Sequence, residues 1–429
     1  MEYVNGVTSF DTHAFGKTHP SVWSTCEGLP SEEQNYTVSC CTLQVPLNYA
    51  QPNQSSILIS MVRLSPSNPN NNSLFVLNSG PDESGLGLVS VINQLIPIEY
   101  GITIIFPDHR GAGFSNPLGC DNQNSQIIIM NYIEYLRDRW TVEELNQFST
   151  TSATHDLAIQ IEASQSMGRK TILGVSYDIY PNLVESTVMD SSLNPLLHAF
   201  TMYHIRAASV AWQFLTYCHY QIEFFKYLPN DPPAIMLYKI LQEIDSDNQT
   251  SANYYDRTVI PAVIYRLNLC NKEDVAALYF CFKAQGLSSA SSSNESSSSD
   301  VNSPVLNSDA LYYNIAFSEL WLYFIQSDID QQTLNALQNS LIIAPDLRSD
   351  LVVLKEKYPL NEYHYIIANS SVLMITAQLD DATPLDLASH LASITEKTRT
   401  VYTIPLSGHI IQLYLTVTGY VCPPHLMLF

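Results

Sequence analysis

The stretch TILGVSYD, residues 171–178, decides how this chain folds. Residues 171–175 are apolar or β-branched apart from one glycine, which is typical of a buried strand. Ser176 follows at once in a Gly-x-Ser-x pattern, where a sharp turn after a strand presents the serine hydroxyl. Because this short pattern also fits an ordinary turn, the rest of the sequence must decide between the two interpretations.

Runs that predict strands recur on both sides of this stretch: buried apolar runs at residues 74–77 and 102–106, and strand-like runs at 186–190, 372–376 and 400–404. Helices are predicted at residues 86–95 and 153–167, and after a capping box formed by Thr141 and Glu144. Residues 43–64 predict antiparallel strands with one polar, half-exposed face, that of Ser56, Leu58, Ser60 and Val62. Alternating buried strands and helices predict an α/β fold, a mostly parallel sheet with helices on both faces.

The pattern changes between residues 195 and 340, where aromatic residues recur at helical spacing in 203–227 and 309–325. We therefore predict a helical lid at 195–340, inserted between the two parts of the core at 1–194 and 341–429. Within the insertion, residues 288–303 are mostly serine and bury too little apolar surface to order themselves. They predict a disordered surface loop.

The composition limits the partners of this chain of 429 residues. Its formal net charge of −22 repels phosphate backbones, so nucleic acid is not expected as a partner. No apolar run has transmembrane length. The eight cysteines lack the CxxC spacing of metal ligands and favour disulfides, without indicating which cysteines pair. We expect no metal and no cofactor, and the sequence does not predict an oligomeric state.

Several features favour a secreted or lysosomal protein. Glycosylation sequons begin at six asparagines, namely Asn35, Asn53, Asn71, Asn248, Asn294 and Asn369. Cysteines that form disulfides indicate the same compartments. Residues 1–5 lack the basic and apolar pattern of a signal peptide, so we expect a leader that this sequence does not show.

Three residues follow predicted strands in the order that serine hydrolysis on an α/β-hydrolase scaffold requires. Ser176 is the predicted nucleophile, His409 the base, and Asp380 the acid that orients His409. Thr383 and Pro384 predict the cap and first residue of a helix just after Asp380.

Alternatives exist for each partner of the nucleophile. Asp380 also fits a loop carboxylate near a helix start, and Asp190 is a fallback acid because it ends an earlier strand. His409 also fits a core or surface histidine, but His390 falls within a predicted helix and His425 lies at the chain end. Both are poorer candidates for the base.

Two backbone N–H groups are predicted to stabilise the oxyanion. One belongs to Tyr177, directly after the nucleophile. The other belongs to Gly80, in the stretch NSGPDESG at residues 78–85. This stretch is hereafter the oxyanion loop.

Motifs in several separate stretches resemble the proline-iminopeptidase and tripeptidyl-aminopeptidase group of α/β-hydrolases. They are VPLNY at 45–49, NSGPD at 78–82, DHRGAGFS at 108–115, GVSY at 174–177, LDDATP at 379–384 and GH at 408–409. The resemblance covers about residues 38–428. It implies a serine exopeptidase that acts on peptides with a free N-terminus. It also implies a helical lid whose acids bind the substrate amine, and we assign that role to Glu319, with a salt-bridged or capping glutamate as the alternative.

The chain departs from the family pattern at three places. Asp178 replaces a glycine two residues after the nucleophile, and Ser79 and Asp82 replace glycines of the oxyanion loop. The connection around Pro181 is too short for the helix that usually follows the nucleophile. These departures support the alternative of a catalytically impaired homologue that acts by binding, and an esterase on the same scaffold is a third hypothesis.

Overall fold

The computed structural model describes the following parts of the chain. They are residues 22–27, 29, 32–33, 35–78, 80, 82–89, 92, 96–118, 136–174, 183–192, 194, 209–210, 212–213, 216, 232, 235, 308–320, 371–380, 383–395 and 398–405.

One sheet of nine strands organises the described residues. Its strands are β1 (Glu32–Glu33), β2 (Tyr36–Pro46), β3 (Ser56–Ser65), β4 (Ser73–Leu77), β5 (Thr103–Pro107), β6 (Lys170–Gly174), β7 (Ser186–Asp190), β8 (Val372–Ala377) and β9 (Arg399–Ile404). The α-helices that bear on the site are α1 (Val142–Leu145), α2 (Thr150–Ala163), α3 (Asp309–Ser318) and α4 (Leu385–Ser393).

The strand order is β1-β2-β3-β5-β4-β6-β7-β8-β9. Strand β3 pairs antiparallel with β2 and β5, whereas the pairs from β5 through β4 to β9 are all parallel. The chain runs from β4 to β5 on one side, then returns to place β6 on the other side of β4. This order, in which β3 is antiparallel to both of its neighbours, is that of the α/β-hydrolases. The chain has the α/β-hydrolase fold.

The short apolar runs are the most accurately predicted elements. All five residues of β4 are buried, as expected for a strand covered on both faces. Strand β7 has the predicted bounds, β8 and β9 differ from the predictions by one residue at one end, and β5 and β6 by one residue at each end. The capping box also forms, because Thr141 and Glu144 bond each other's backbone N–H groups.

Strand β3 corrects the prediction of a half-exposed face. Leu58 is 51% exposed, but Ser60 and Val62 on the same face are buried. The reason is the sheet order, since residues 61–64 pair with β5 as well as with β2, and this half of β3 lies in the sheet interior. A sequence pattern shows alternation along one strand but not how many neighbours that strand has.

Two helices end or begin differently from the predictions. Helix α2 ends at Ala163, four residues early, because the Ser164 hydroxyl donates to the Ile161 carbonyl and Gln165 has a φ of 55°. The segment predicted as a helix at 86–95 starts as a 3-10 helix, Gly85–Leu88, capped by Ser84. Residues 90–91 and 93–95 are outside the described part.

Helix α3 belongs to the predicted insertion, yet it packs against the core. Ala310, Leu311 and Ile315 share one apolar cluster with Leu47 and Phe148. The predicted lid and domain boundaries otherwise fall mostly on residues outside the described part, as does the serine-rich segment 288–303.

A disulfide joins Cys26 to Cys40, with the two Cα atoms 5.0 Å apart. Backbone hydrogen bonds in both directions between Ser24 and Cys40 align the two segments. The neighbouring Cys41 is a buried free thiol on β2. The expectation of disulfides is thus confirmed for this pair, which the sequence did not identify.

None of the helices in the described ranges combines the length and apolar character that crossing a membrane requires.

Candidate active site

The carboxyl ends of β4 and β6 meet where the strand order reverses. In open α/β sheets this switch point is where ligands bind, because the loops leaving the two strands diverge and open a crevice. Leu77 and Gly174 are register partners and the last residues of their strands. The oxyanion loop and the stretch containing Ser176 therefore start side by side, although Ser176, Tyr177 and His409 lie outside the described residues.

Gly174 allows β6 to approach β4 closely. A Cβ atom at Gly174 would lie 2.8 Å from both the Cβ and the carbonyl oxygen of Leu77. Contacts that short do not occur between real Cβ atoms and backbone, so any larger residue would push the strand ends apart. The glycine that opens the Gly-x-Ser-x pattern thus serves the packing of the two loops that we predict to form the site.

The oxyanion loop has a conformation that depends on Gly80, whose φ of 138° is reserved almost entirely for glycine. Gly80 is exposed, and it precedes a proline. At the base of the loop, the buried Asn78 amide donates to the carbonyl oxygen of Ser84 at 2.9 Å. The loop is therefore closed on itself and leaves Gly80 at its accessible tip.

Asp108 anchors the far end of this loop to β5. One oxygen of its buried carboxylate accepts the Ser84 hydroxyl at 2.6 Å and the Gly85 N–H at 3.2 Å. The other accepts the Phe114 N–H at 2.9 Å. Burial raises the pKa of Asp108 above its ordinary value, although these three donors oppose the shift. The first residue of the DHRGAGFS motif thus ties the oxyanion loop to the turn after β5.

Asp380 is buried at the carboxyl end of β8, three residues after the strand. Thr383 donates to both carboxylate oxygens, from its N–H at 2.6 Å and its hydroxyl at 2.7 Å. A buried carboxylate held by donors on one side is oriented, as an acid that positions a histidine must be. His409 itself is outside the described residues.

The start of α4 corrects one detail of the prediction. The N-cap residue is Pro384 and the helix begins at Leu385, one residue later than expected. Thr383 precedes the N-cap and donates its N–H and its hydroxyl hydrogen to Asp380. The LDDATP motif therefore serves the acid rather than the helix end.

The alternative acid, Asp190, is the last residue of β7 and is also buried. One of its oxygens accepts the Ser191 hydroxyl at 3.1 Å. His390 lies within α4, where its Nδ1 is 3.2 Å from the Asn194 amide nitrogen. Asp190 and Asp380 thus both lie at the carboxyl edge of the sheet.

Glu319 follows α3 and reaches the first residue of α2. Its two carboxylate oxygens accept the Thr150 N–H at 3.0 Å and the Thr150 hydroxyl at 2.5 Å. Backbone N–H groups in the first turn of a helix lack partners within the helix, and a carboxylate there is favourable. Glu319 thus caps α2, as the alternative interpretation expected, and its assigned role in amine binding remains a prediction.

Substitution of Glu319 by glutamine should remove a pH dependence of stability. Burial raises the pKa of Glu319 from 4.5 to about 7, against the two bonds from Thr150. The folded state then binds the proton more tightly than the unfolded state, so this contribution to stability is full below about pH 4.5 and is lost as the pH rises through 7. We expect the free energy of unfolding of the wild type to fall relative to Glu319→Gln by about 1–3 kcal/mol between those limits.

Urea unfolding of both proteins from pH 4 to 8 measures this difference. Burial lowers the pKa of His155 to about 4, which makes stability rise with pH up to about 6.5. That opposite contribution is common to both proteins and cancels in the comparison. If the free energy of unfolding changed with pH in the same way for both proteins, the prediction would be wrong.

A buried hub that the sequence did not predict joins two of the motifs. Arg110 forms a bidentate ion pair with Asp156 of α2, with Nε and Nη2 at 2.6 and 2.7 Å from the carboxylate oxygens. Tyr49, from the VPLNY motif, donates its hydroxyl to the same carboxylate at 2.5 Å. The one sequence signal for this role was Asp156, an acid that directly precedes the largely apolar run 157–161 of a predicted helix.

Arg110 also donates to three backbone carbonyls, those of Pro46, Leu47 and Gln147. Burial opposes the charge on Arg110, but Asp156 outweighs this effect and the pKa of Arg110 is raised. The hub thereby holds the end of β2, the loop before α2, and the turn after β5 in one arrangement.

Solved structures with a similar course of the chain are enzymes of several kinds. They include a bromoperoxidase from Bacillus anthracis (15% identity, 88% of this chain and 95% of that chain covered, TM-score 0.35), a proline iminopeptidase from Mycobacterium smegmatis (11%, 90% and 97%, TM-score 0.40) and an epoxide hydrolase from Vigna radiata (12%, 92% and 97%, TM-score 0.35). No protein-family model and no curated protein matches the chain. Similarities this low assign no activity, and the strand order carries the fold assignment.

Proposed function

We propose that this chain is a serine hydrolase, and specifically an exopeptidase that releases short N-terminal fragments from peptides. The observation that carries the proposal is the register of Leu77 with Gly174, which starts the oxyanion loop and the Ser176 stretch together at the switch point. The buried, oriented carboxylate of Asp380 at the same edge of the sheet supports it.

The mechanism assigns one role to each predicted residue. Ser176 attacks the peptide carbonyl while His409 takes its proton, and Asp380 holds the imidazole in position. The N–H groups of Gly80 and Tyr177 stabilise the oxyanion. His409 then protonates the leaving amine, and water hydrolyses the acyl-enzyme with the same base.

We further propose a secreted or lysosomal location. The disulfide between Cys26 and Cys40 supports it, because such bonds persist in oxidising compartments. Three sequon asparagines, Asn35, Asn53 and Asn71, lie on the exposed surface. They are accessible to glycosylation.

A fluorophosphonate probe tests the nucleophile. We expect covalent labelling of the wild type, mapped by mass spectrometry to the peptide containing Ser176. Labelling that persists in Ser176→Ala, or a wild type that is not labelled, would overturn the assignment.

A substrate panel separates the peptidase from the esterase. It pairs peptide amides that have a free N-terminus with their N-acetylated forms, and adds simple esters of the same acyl groups. An exopeptidase cleaves the free peptides preferentially. Equal or faster cleavage of blocked peptides or of esters would favour the esterase.

The second candidate is an impaired homologue that binds without turnover. Two observations favour it. The parallel connection between β6 and β7 spans only residues 175–185, near the lower limit for such a crossover. In addition, the Asp82 carboxylate lies against Gly80 and opposes an oxyanion there. This candidate predicts peptide binding without labelling.

A further inference from the structure

Ser308 connects the oxyanion loop to the predicted insertion. This residue is the N-cap of α3 and is 3% exposed. Its backbone N–H donates to the Asp82 carbonyl at 3.0 Å, and its hydroxyl donates to the Leu118 carbonyl at 2.6 Å. Leu118 lies in the segment after β5. One residue of the predicted insertion therefore bonds both the oxyanion loop and the segment that follows β5.

The backbone of Asp82 is close to the predicted oxyanion donor. A Cβ atom placed on Gly80 would lie only 2.8 Å from the Asp82 backbone nitrogen. The Gly80 backbone thus packs directly against that of Asp82. Because Gly80 also has a φ of 138°, it has little freedom to adjust if its neighbour moves. A displacement of Asp82 would therefore displace the Gly80 N–H.

Other bonds hold the oxyanion loop at its base. The Asn78 amide donates to the Ser84 carbonyl, and the Asp108 carboxylate accepts the Ser84 hydroxyl and the Gly85 N–H. These contacts fix the two ends of the loop to each other and to β5. The bond from Ser308 acts between the two ends, beside the tip at Gly80.

Helix α3 is a firm support because it is attached to the core along its length. In its middle, the buried Asn314 amide donates to the carbonyls of Leu145 and Phe148 at 3.2 and 3.1 Å. At its end, the Glu319 carboxylate accepts two hydrogen bonds from Thr150. The position of Ser308 is therefore set by the docking of the whole helix.

Catalysis depends on such a support because an oxyanion donor acts only at short range. The donor must lie about 3 Å from the place where the oxyanion forms, and it must already be there when the reaction occurs. A misplacement of about 1 Å can lower the rate by about 100-fold. A loop tip that is free to shift would therefore lose much of its effect.

We propose that Ser308 is a positioning residue for the oxyanion loop, and that the predicted Gly80 donor works only while α3 is docked on the core. This inference rests on the proposed function of the Ser176 site. It gives the predicted insertion a part in stabilising the transition state, in addition to its predicted place as a lid.

Kinetics of Ser308→Ala test the inference, with Ser318→Ala as a matched control. Ser318 is a buried serine at the other end of α3, and its hydroxyl donates to the Asn314 carbonyl of the same helix. The substrate is the ethyl ester of alanyl-alanine. We expect Ser308→Ala to lower kcat by about 10- to 100-fold with little change in KM, because the oxyanion donor is misplaced. Ser318→Ala should leave kcat near that of the wild type.

A thionoester of the same dipeptide separates positioning from a general structural defect. Sulfur replaces the carbonyl oxygen that becomes the oxyanion, and sulfur is a weaker hydrogen-bond acceptor. Misplaced donors therefore lower the ratio of kcat for the oxygen ester to kcat for the thionoester. A loss of folded enzyme lowers both rates and leaves this ratio unchanged. The inference is wrong if the ratio does not fall in Ser308→Ala, or if it falls equally in Ser318→Ala.

Two further variants distinguish the hydroxyl of Ser308 from the capping of α3. Ser308→Thr restores a hydroxyl and should restore the ratio. Ser308→Gly caps a helix nearly as well as serine but has no hydroxyl, so it should lower the ratio as alanine does while the helix is kept. A wild-type ratio in the glycine variant would show that the bond to Leu118 does not position the loop.

Hydrogen exchange keeps the two proposals separate because it requires no catalysis. The Gly85 N–H, which Asp108 accepts, reports on the stability of the loop. We expect Ser308→Ala to raise the exchange rate of the peptide 78–85 by about 5- to 10-fold, and Ser318→Ala to leave it unchanged. Unchanged exchange in Ser308→Ala would overturn the role of Ser308. A wild type that is not labelled at Ser176 and cleaves neither ester would overturn the proposed function, whereas faster exchange in Ser308→Ala would still establish the support of the loop.

Discussion

Replacement of Ser176 by alanine is expected to lower kcat for peptide hydrolysis by about 10⁴- to 10⁶-fold. Without the hydroxyl no acyl-enzyme forms, and only the oxyanion donors and substrate binding remain to accelerate attack by water. His409→Ala should lower kcat by a similar factor. The double variant should be hardly worse than either single one, because nucleophile and base act as one unit. Steady-state kinetics with a free-amine peptide measure all three.

Two aspartates provide the comparison that assigns the acid. Asp380→Asn should lower kcat by about 10⁴-fold, because the amide presents the wrong hydrogen-bonding pattern to the imidazole. Asp190→Asn, a matched change in a buried carboxylate at the end of the neighbouring strand, should leave kcat within about tenfold. The reverse result would transfer the role of the acid to Asp190. In the Ser176 and His409 variants, losses of kcat that add up in the double variant would contradict the triad itself.

Replacement of Arg110 by methionine is expected to lower the free energy of unfolding by about 3–5 kcal/mol. Arg110 and Asp156 are each about 1% exposed, so the substitution leaves the Asp156 carboxylate buried without its counter-charge. It also leaves the carbonyl oxygens of Leu47 and Gln147 without their donor. Urea unfolding monitored by tryptophan fluorescence measures the loss.

An exposed ion pair of the same chain supplies the control. Arg169 lies 3.4 Å from Glu185, with both side chains mostly in solvent, so Arg169→Met should cost less than about 1 kcal/mol. Adding Asp156→Leu to Arg110→Met should recover much of the lost stability, because both buried charges are then absent. Similar losses in the two arginine variants would show that Arg110 is not the hub that its contacts indicate.

The local elements of this fold could be predicted because their causes are local. Residues 74–77 are apolar at every position and residues 102–106 at all but Thr103, and strands covered on both faces require this whatever surrounds them. Thr141 and Glu144 form their capping box within a single turn. The alternation of such elements was enough to predict a mostly parallel sheet, and the order of Ser176, Asp380 and His409 was enough to predict a hydrolase scaffold.

The predictions of burial and of helix capping were wrong where the environment of a residue depended on a contact with another segment or side chain. The second half of β3 is buried because β5 pairs with it. Thr383 donates to Asp380, and Pro384 is the N-cap of α4. In both cases the residue types were compatible with two environments. For β3 the deciding contact came from a distant strand, and for Thr383 it came from Asp380, three residues earlier.

The sequence by itself determined the strands, the helices around them and the candidate residues that follow each strand, because hydrophobic periodicity reports burial over a few residues. Only the tertiary structure decided which side chains meet. Glu319 accepts a hydrogen bond from Thr150, which is 169 residues away in the sequence, and Arg110 pairs with Asp156, which is 46 residues away. Such partners depend on strand order and register, which bring distant segments together at distances that no local pattern encodes. The same holds for Asp82 at the oxyanion loop, whose position is held by Ser308 of a distant helix.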